Sequence, residues 1–420
     1  MLRTLFIRMV YMSFMFIAGL ILSNIALPER FGIISLLILN ASLLSIITGL
    51  GTESIVLHKV ARDKWKLLKT LQFVWYGILI QILLFLVLEF LSLHFLNRTL
   101  LSNQNVSYLA IDVFYFIGLV LSEKYMILLY SFNRTLLANI AMTLVAMAYT
   151  ITLVFLYYII KMEFVTALYC FALQSLVQGF TLFVIFHVKN HSLDTERLKR
   201  SEFFAAIGLS FIVMTTNIIQ LAAYRLDFWI LKYFYSNYEV GLYAQANKFA
   251  NLIWIIPNVL AQLLITKFSS IEKGFVPKIF STAFYLNLMG VFFTIICTNL
   301  FYYFYLEHEY RSGLPSFYMM LPGYFFWALV IYIAAYFSWE GKFIYNLVGS
   351  SICFILILIA DLILIPGYGI QGAAWSNTIT YSIVFVVYLS FINKNFSVPW
   401  NEFFLLRKKD LLRIVKFVST

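Results

Sequence analysis

Ten ionisable residues stand in stretches of this chain that are otherwise strongly apolar: Glu53, Glu89, Asp112, Glu123, Lys124, Arg225, Asp227, Lys248, Glu340 and Asp361. A charge at the centre of a bilayer costs about 2.5–3.5 kcal/mol on insertion scales, so such a residue faces a cavity or a partner. Arg225 and Asp227 lie two apart in Ala-Ala-Tyr-Arg-Leu-Asp-Phe-Trp. On a helix that spacing turns them roughly 160–200° apart, so each is expected to meet another helix. Further on, Lys248 lies in Tyr-Ala-Gln-Ala-Asn-Lys-Phe-Ala-Asn, with Gln245, Asn247 and Asn251 beside it. We read these four as one polar face that suits water, a ligand or a facing bundle. Asp361 stands deep in its segment, just before Ile-Leu-Ile-Pro-Gly, and is a candidate to line a cavity. Structural pairing between helices is the competing reading for each of these residues. The adjacent Glu123 and Lys124 are expected to pair locally or snorkel. Asp112 and Glu53, near segment ends, are expected in solvated positions.

The elements that must position these groups follow from composition. The chain has 420 residues, 62% hydrophobic and 12% charged, with a mean hydropathy of +0.89. A soluble domain is about half apolar and about a quarter charged. A soluble enzyme and a disordered chain are therefore excluded. The apolar runs are of the roughly 20-residue length of a membrane helix, without the alternation of a barrel strand. We read spans at 5–26, 32–52, 67–96, 108–131, 136–160, 164–187, 203–232, 241–267, 278–305, 314–338, 343–365 and 370–392. The expected fold is an all-α polytopic membrane protein of about twelve helices. The first span, preceded by Arg3 and Arg8 and followed by no clear cleavage site, is expected to be an uncleaved helix.

The net charge of +11 is a topology device rather than a nucleic-acid signal. With twelve spans, 22 of the 30 Lys and Arg residues fall on one side, including Lys59, Arg134, Lys199 and Lys394. Six fall on the other: Arg30, Arg98, Lys161, Arg225, Lys232 and Arg311. The positive-inside rule then places both termini in the cytoplasm. The basic segment 189–202 divides an N-terminal bundle, 1–188, from a C-terminal bundle, 203–393. The tail 394–420 alternates apolar and basic residues at near-helical spacing and is expected to lie on the anionic leaflet. Two short matches, Pro28–Ile33 with Asn237–Leu242 and Thr166–Leu168 with Gly372–Ala374, sit at offsets of 209 and 206. They suggest a parallel repeat of six helices, which in transporters places the substrate between the halves.

Enzyme signatures are missing. The sequence has no G-x-x-x-x-G-K-[ST] loop and no G-x-S-x-G elbow. The three cysteines, Cys170, Cys297 and Cys353, are dispersed in apolar runs, and His187 and His191 bring no further ligands. We expect no metal site, no cofactor and no catalytic residue. The 43 Phe and 28 Tyr supply lipid-facing bulk and interface belts; nothing in the sequence singles out rings that would stack on a sugar.

Several segments carry a resemblance. Arg225-Leu-Asp227, the run Tyr235-Ser-Asn-Tyr-Glu-Val-Gly241-Leu-Tyr243-Ala and Ile-Ile-Pro257 resemble the Arg-x-Asp pair, Gly-x-Tyr turn and later proline of polysaccharide transporters. Leu27-Pro28-Glu29-Arg30-Phe31-Gly32 resembles that family's first turn. Gly49-Leu-Gly51-Thr-Glu-Ser-Ile with Lys59-Val-Ala-Arg62 resembles its second-span exit, and Tyr368-Gly369-Ile-Gln-Gly372-Ala-Ala its last turn. The family is the O-antigen and polysaccharide flippases of the Wzx type, in the MATE-like superfamily. The resemblance implies two six-helix bundles in the bacterial inner membrane. It also implies a cationic cavity that carries an undecaprenyl-diphosphate-linked oligosaccharide from the cytoplasmic to the periplasmic leaflet. Arg225 matches the family motif; Lys248, Asn247 and Gln245 join it as substrate-binding candidates on our own reading. Asp227 and Asp361 are the candidates for coupling to protons or a cation. Polysaccharide assembly proteins are candidate partners. A MATE-type small-molecule antiporter is the alternative, and an O-antigen polymerase or ligase a more distant one, since no outward loop is long.

Overall fold

The computed structural model describes residues 2–61, 65–189, 196–267 and 276–396, and among these every regular element is helical. Nine helices in that set are long and apolar enough to cross a membrane. Two of the nine are divided by a break. In α1 (Leu2–Gly49) the break is at Leu27, with φ 57° and ψ 169°, immediately before Pro28. Proline disfavours helical backbone in the residue before it and brings no N–H of its own. In α12 (Phe343–Phe396) the break is at Gly369, with φ 56° and ψ −132°, shortly after Pro366. Only glycine visits that region without strain. The spans expected at 5–26 and 32–52, and at 343–365 and 370–392, lie on either side of these two breaks. The span expected at 241–267 is composite: α8 (Asn237–Ala250), a 3-10 turn at Asn251–Trp254, then α9 (Ile255–Lys267). Pro257 stands one turn into α9, and its ring excludes regular hydrogen bonding to the preceding turn. The pattern is consistent with twelve crossings.

The chain forms two compact units, Met1–Leu221 and Ala222–Thr420. The division falls inside α7 (Arg200–Phe234), downstream of the basic segment 189–202, of which 190–195 lie outside the described residues. Residues 196–202 are tied to the start of α3 (Leu67–Leu96): Lys69, 5% exposed, pairs with Glu196 at 3.1 Å and Glu202 at 2.7 Å, and Leu198 N donates to Gln72 Oε1 at 2.8 Å. The amphipathic tail lies outside the described residues from 397 onward.

Within the first unit, α4 (Leu109–Ser131) and α6 (Phe164–Lys189) cross at glycines. A Cβ on Gly118 would stand 2.3 Å from Leu176 N, and one on Gly179 2.7 Å from Gly118 O. Close backbone approach through small residues is the usual packing device where lipid removes the hydrophobic drive. Two threonines of α5 (Thr135–Phe155), Thr143 and Thr150, donate to Asn139 O and Ala146 O of their own helix at 2.7 and 2.8 Å and also lie 3.2 and 3.1 Å from Ile7 O and Phe14 O of α1.

The charged residues of this unit depart from expectation. Asp112 is fully buried rather than solvated, and its Oδ2 accepts Leu101 N and Ser102 N, both at 3.0 Å. Glu89 accepts Leu100 N. The 97–105 turn must satisfy its inward amides, and the two carboxylates do so. Lys124, 2% exposed, pairs not with its neighbour but with Glu53 of α2 (Thr52–Ala61), and donates to Thr52 Oγ1 at 2.6 Å. Glu123 accepts instead from Ser45 Oγ at 2.6 Å. Adjacent residues on a helix diverge by about 100°, so they meet different neighbours.

The second unit packs α11 (Leu314–Trp339) on α12 by the same device: a Cβ on Gly323 would meet Thr378 Cα at 2.5 Å. Thr378 Oγ1 donates to Met319 O, in the turn that Pro322 loosens. The unit is completed by α8, α9 and α10 (Val276–Phe304).

Candidate functional site

α7 enters the second unit carrying Arg225 and Asp227, and the two side chains diverge as their spacing requires. Arg225 is half-buried. Its Nη1 donates to Asn247 Oδ1 of α8 at 2.5 Å, and its guanidinium carbon lies 5.5 Å from the centre of the Phe228 ring. No ion pair to Arg225 is found among the described residues. Asn247, 1% exposed, donates Nδ2 to Tyr324 Oη of α11 at 2.7 Å and accepts from Asn251 Nδ2 at 2.7 Å. Asn247 and Asn251 are four apart, hence on one face. The 3-10 turn continues that face to Trp254, whose Nε1 donates to Tyr324 O at 2.9 Å and whose ring stacks on Tyr324 with centroids 4.3 Å apart.

Asp227 turns the other way and is buried. Its Oδ2 accepts from Tyr243 Oη of α8 and from Asn377 Nδ2 of α12, the latter at 3.1 Å; its Oδ1 accepts from Phe228 N at 2.9 Å. Asn377 Nδ2 also donates to Tyr243 Oη at 2.6 Å. Three helices therefore converge on one carboxylate. Asp361, fully buried on α12, lies where Asp227 and Ser376 act on it electrostatically, and neither of its oxygens has a hydrogen-bond partner within normal reach among the described residues. Asp361, a buried carboxylate without such a partner among the described residues and within the electrostatic influence of Asp227, is the member of this pair suited to hold a proton or a small cation, because an uncompensated charge is costly in low dielectric. No cluster of three or more His, Cys, Asp or Glu suited to a metal occurs among the described residues.

Gln245 and Lys248 do not share the face of Asn247. On α8, Gln245 is turned about 160° from Asn247 and Lys248 about 100°. Gln245 is fully buried, with neither amide atom hydrogen-bonded; Lys248 is half-buried. The single polar face expected from the sequence is thus divided: Asn247 and Asn251 toward Arg225, Gln245 on the opposite flank, and Lys248 between them.

Sequence reasoning missed Tyr243, Tyr324, Asn377 and Trp254 as members of these networks. A signal existed for Asn377: Ser376-Asn-Thr-Ile-Thr380 is a polar run inside an apolar span. Tyr324 and Trp254 carried none, because aromatics are common throughout the chain.

Comparison with known proteins adds three findings. The model of a family described as "Polysaccharide biosynthesis protein" matches residues 21–275, more than half of the chain. No curated protein matches it. Among solved structures, the fold is similar to the lipid II flippase MurJ in an inward closed conformation, with a TM-score of 0.71, 15% identity, and coverage of 100% of this chain and 91% of that one. It is similar to an inward-facing multidrug resistance MATE transporter of the MOP superfamily, with a TM-score of 0.64, 12% identity and coverage of 98% and 99%. It is also similar to a MOP superfamily transporter from Pyrococcus furiosus, whose reported pocket has reversed polarity, with a TM-score of 0.61, 14% identity and coverage of 95% and 96%. At these identities the likeness establishes the fold.

Proposed function

The chain belongs to the polysaccharide biosynthesis protein family, and from that premise we propose that it is a flippase for a lipid-linked oligosaccharide. The substrate is an O-antigen-type repeat unit on undecaprenyl diphosphate. The protein sits in the bacterial cytoplasmic membrane with both termini inside and moves the glycan to the periplasmic leaflet by alternating access. The observation that carries this reading is Arg225: a half-buried guanidinium on an apolar helix, held by an amide and by no carboxylate ion pair among the described residues.

A diphosphate-linked sugar cannot cross hydrocarbon alone, because each unpaired hydroxyl and charge is penalised. A protein path replaces water around the head while the polyprenyl tail stays in lipid. Arg225 suits the diphosphate, since its planar fork makes paired bonds to phosphate oxygens. Asn247 aims it; Lys248, about 100° round α8 from Asn247, is the second cationic candidate and reaches the head group only if α8 turns. Gln245, buried on the far flank of α8, serves the substrate only through a rearrangement of that helix.

Asp227 and Asp361 form the coupling site in this reading. A proton or cation taken up there alters the bonds of Tyr243 and Asn377, and so the junction of α7, α8 and α12. The membrane potential contributes too: each charge moved is worth about 2.3 kcal/mol per 100 mV, and an anionic head leaving a negative interior goes downhill.

The test is translocation in proteoliposomes. Undecaprenyl-diphosphate oligosaccharide should become accessible on the far leaflet with the native chain present, faster under an imposed proton or sodium gradient. Export of small organic cations without any lipid-linked glycan movement would replace the reading by a drug antiporter.

A further inference from the structure

Beside Arg225, the second unit exposes part of an aromatic cluster built on Trp254 and Tyr224. Trp254 is half-buried, and so are Tyr224, the residue before Arg225, and Asn251. Tyr224 and Trp254 lie 6.1 Å apart between ring centroids with their planes inclined by 51°, an angled pair, and the buried Trp327 stands 5.6 Å from Tyr224. Asn251, Trp254 and Asn258 follow at intervals of three and four, so they line one face over about 10 Å of helix. Asn258 is exposed, and its Nδ2 donates to Trp254 O at 2.8 Å.

The Trp254 ring is fixed on two counts. Its Nε1 is bonded to Tyr324 O, and it stacks on Tyr324 with the planes only 10° apart. Tyr324 is itself 1% exposed and held by Asn247, the residue that aims Arg225. One chain of contacts therefore sets both the guanidinium and the ring. A rigid ring whose order is already established before binding adds affinity rather than losing it to ordering.

Resting on the flippase reading above, we propose that Tyr224 and Trp254 form a platform for the first sugar of the lipid-linked glycan. The C–H face of a pyranose lies against Trp254, with the inclined Tyr224 ring at its side, while Arg225 holds the diphosphate. Sugars combine an apolar C–H face with a rim of hydroxyls, and an aromatic plane flanked by side-chain amides matches both. With the Nδ2 groups of Asn251 and Asn258 bonded to the protein, their carbonyl oxygens are placed to accept from the rim. A bare polyprenyl diphosphate would use Arg225 and leave the platform empty. The platform thus separates loaded carrier from empty carrier.

The experiment measures two affinities for the full-length protein in nanodiscs: undecaprenyl diphosphate, and undecaprenyl diphosphate bearing one N-acetylhexosamine. The readout is their ratio. The native chain should favour the sugar-bearing lipid by about tenfold, the scale of one good aromatic contact. Trp254→Ala should bring the ratio near one, and Trp254→Phe should keep most of it. Tyr224→Leu, which keeps bulk and disturbs no bond of Trp254 to Tyr324, should lower the ratio in a protein of native thermal stability. An unchanged ratio in both Trp254→Ala and Tyr224→Leu overturns the platform, as does a native ratio of one. If the native chain binds neither lipid, the flippase reading itself falls and the platform with it.

Discussion

Arg225 and Asp227 stand two residues apart and do separate work, because a helix turns them to different neighbours. That divergence was legible in the spacing. Their partners were not, since Asn247, Tyr243 and Asn377 come from 16 to 150 positions away. Asp227→Asn should abolish the response of transport to an imposed proton or sodium gradient. It replaces an acceptor oxygen by a donor facing Tyr243 and Asn377; gradient-dependence equal to the native protein in reconstituted vesicles would remove Asp227 from coupling. Lys124 makes a second case at this scale. It joins α4 to Glu53, itself about a quarter exposed. Removing one partner of a buried pair costs about 3–5 kcal/mol, reduced here by the exposure of Glu53. Lys124→Ala should therefore lower the thermal midpoint clearly, whereas Lys124→Met combined with Glu53→Leu should recover most of the loss. Glu123 and Lys124, adjacent in sequence, do not pair, because neighbouring residues on a helix point about 100° apart and meet Ser45 and Glu53 instead.

Helix breaks are the elements on which the arrangement turns. Pro28 marks the first, legible because proline disfavours helical backbone in the residue before it; Gly369, shortly after Pro366, marks the second, at a φ of 56° that glycine alone adopts freely. The composite α8–α9 segment was less legible: Pro257 announced a kink, but not the 3-10 turn that brings Trp254 onto the face of Asn251. The offset of 209 between the first short matches carries the break at Leu27 onto Ser236, the N-cap of α8. The offset of 206 carries Gly369 onto Glu163, immediately before α6. Each offset thus carries a break inside one helix onto the start of another. Glycine crossings were the least legible, since Gly118 and Gly179 look like any others in an apolar run. Gly118→Leu should be more disruptive than the usual overpacking cost of about 1–3 kcal/mol, because backbone of α6, not a yielding side chain, occupies the space. Poor folded yield from the membrane is the expected outcome; a normal yield and midpoint would mean that α4 and α6 separate easily.

For the whole molecule, composition alone indicated a polytopic helical membrane protein, and the MurJ- and MATE-like fold agrees. The direction of insertion rests on the distribution of Lys and Arg. Single cysteines placed at Arg98 and Lys161 in a cysteine-free background should react with an impermeant thiol reagent from the periplasm. One at Arg134 should react only after the membrane is opened; the opposite pattern would invert the topology and with it the direction of transport. What the sequence left undecided was which of its buried charges meet which, because that depends on helix pairing across long separations. The central claim is that Arg225 receives the anionic head of a lipid-linked glycan. The measurement that tests it most directly is translocation of undecaprenyl-diphosphate oligosaccharide in proteoliposomes by the native chain, Arg225→Lys and Arg225→Ala, each with a native thermal midpoint. Transport should fall about a hundredfold for Arg225→Ala, the scale of a lost charge-assisted pair, with a partial rescue by lysine. Native rates from a folded Arg225→Ala protein would contradict that claim.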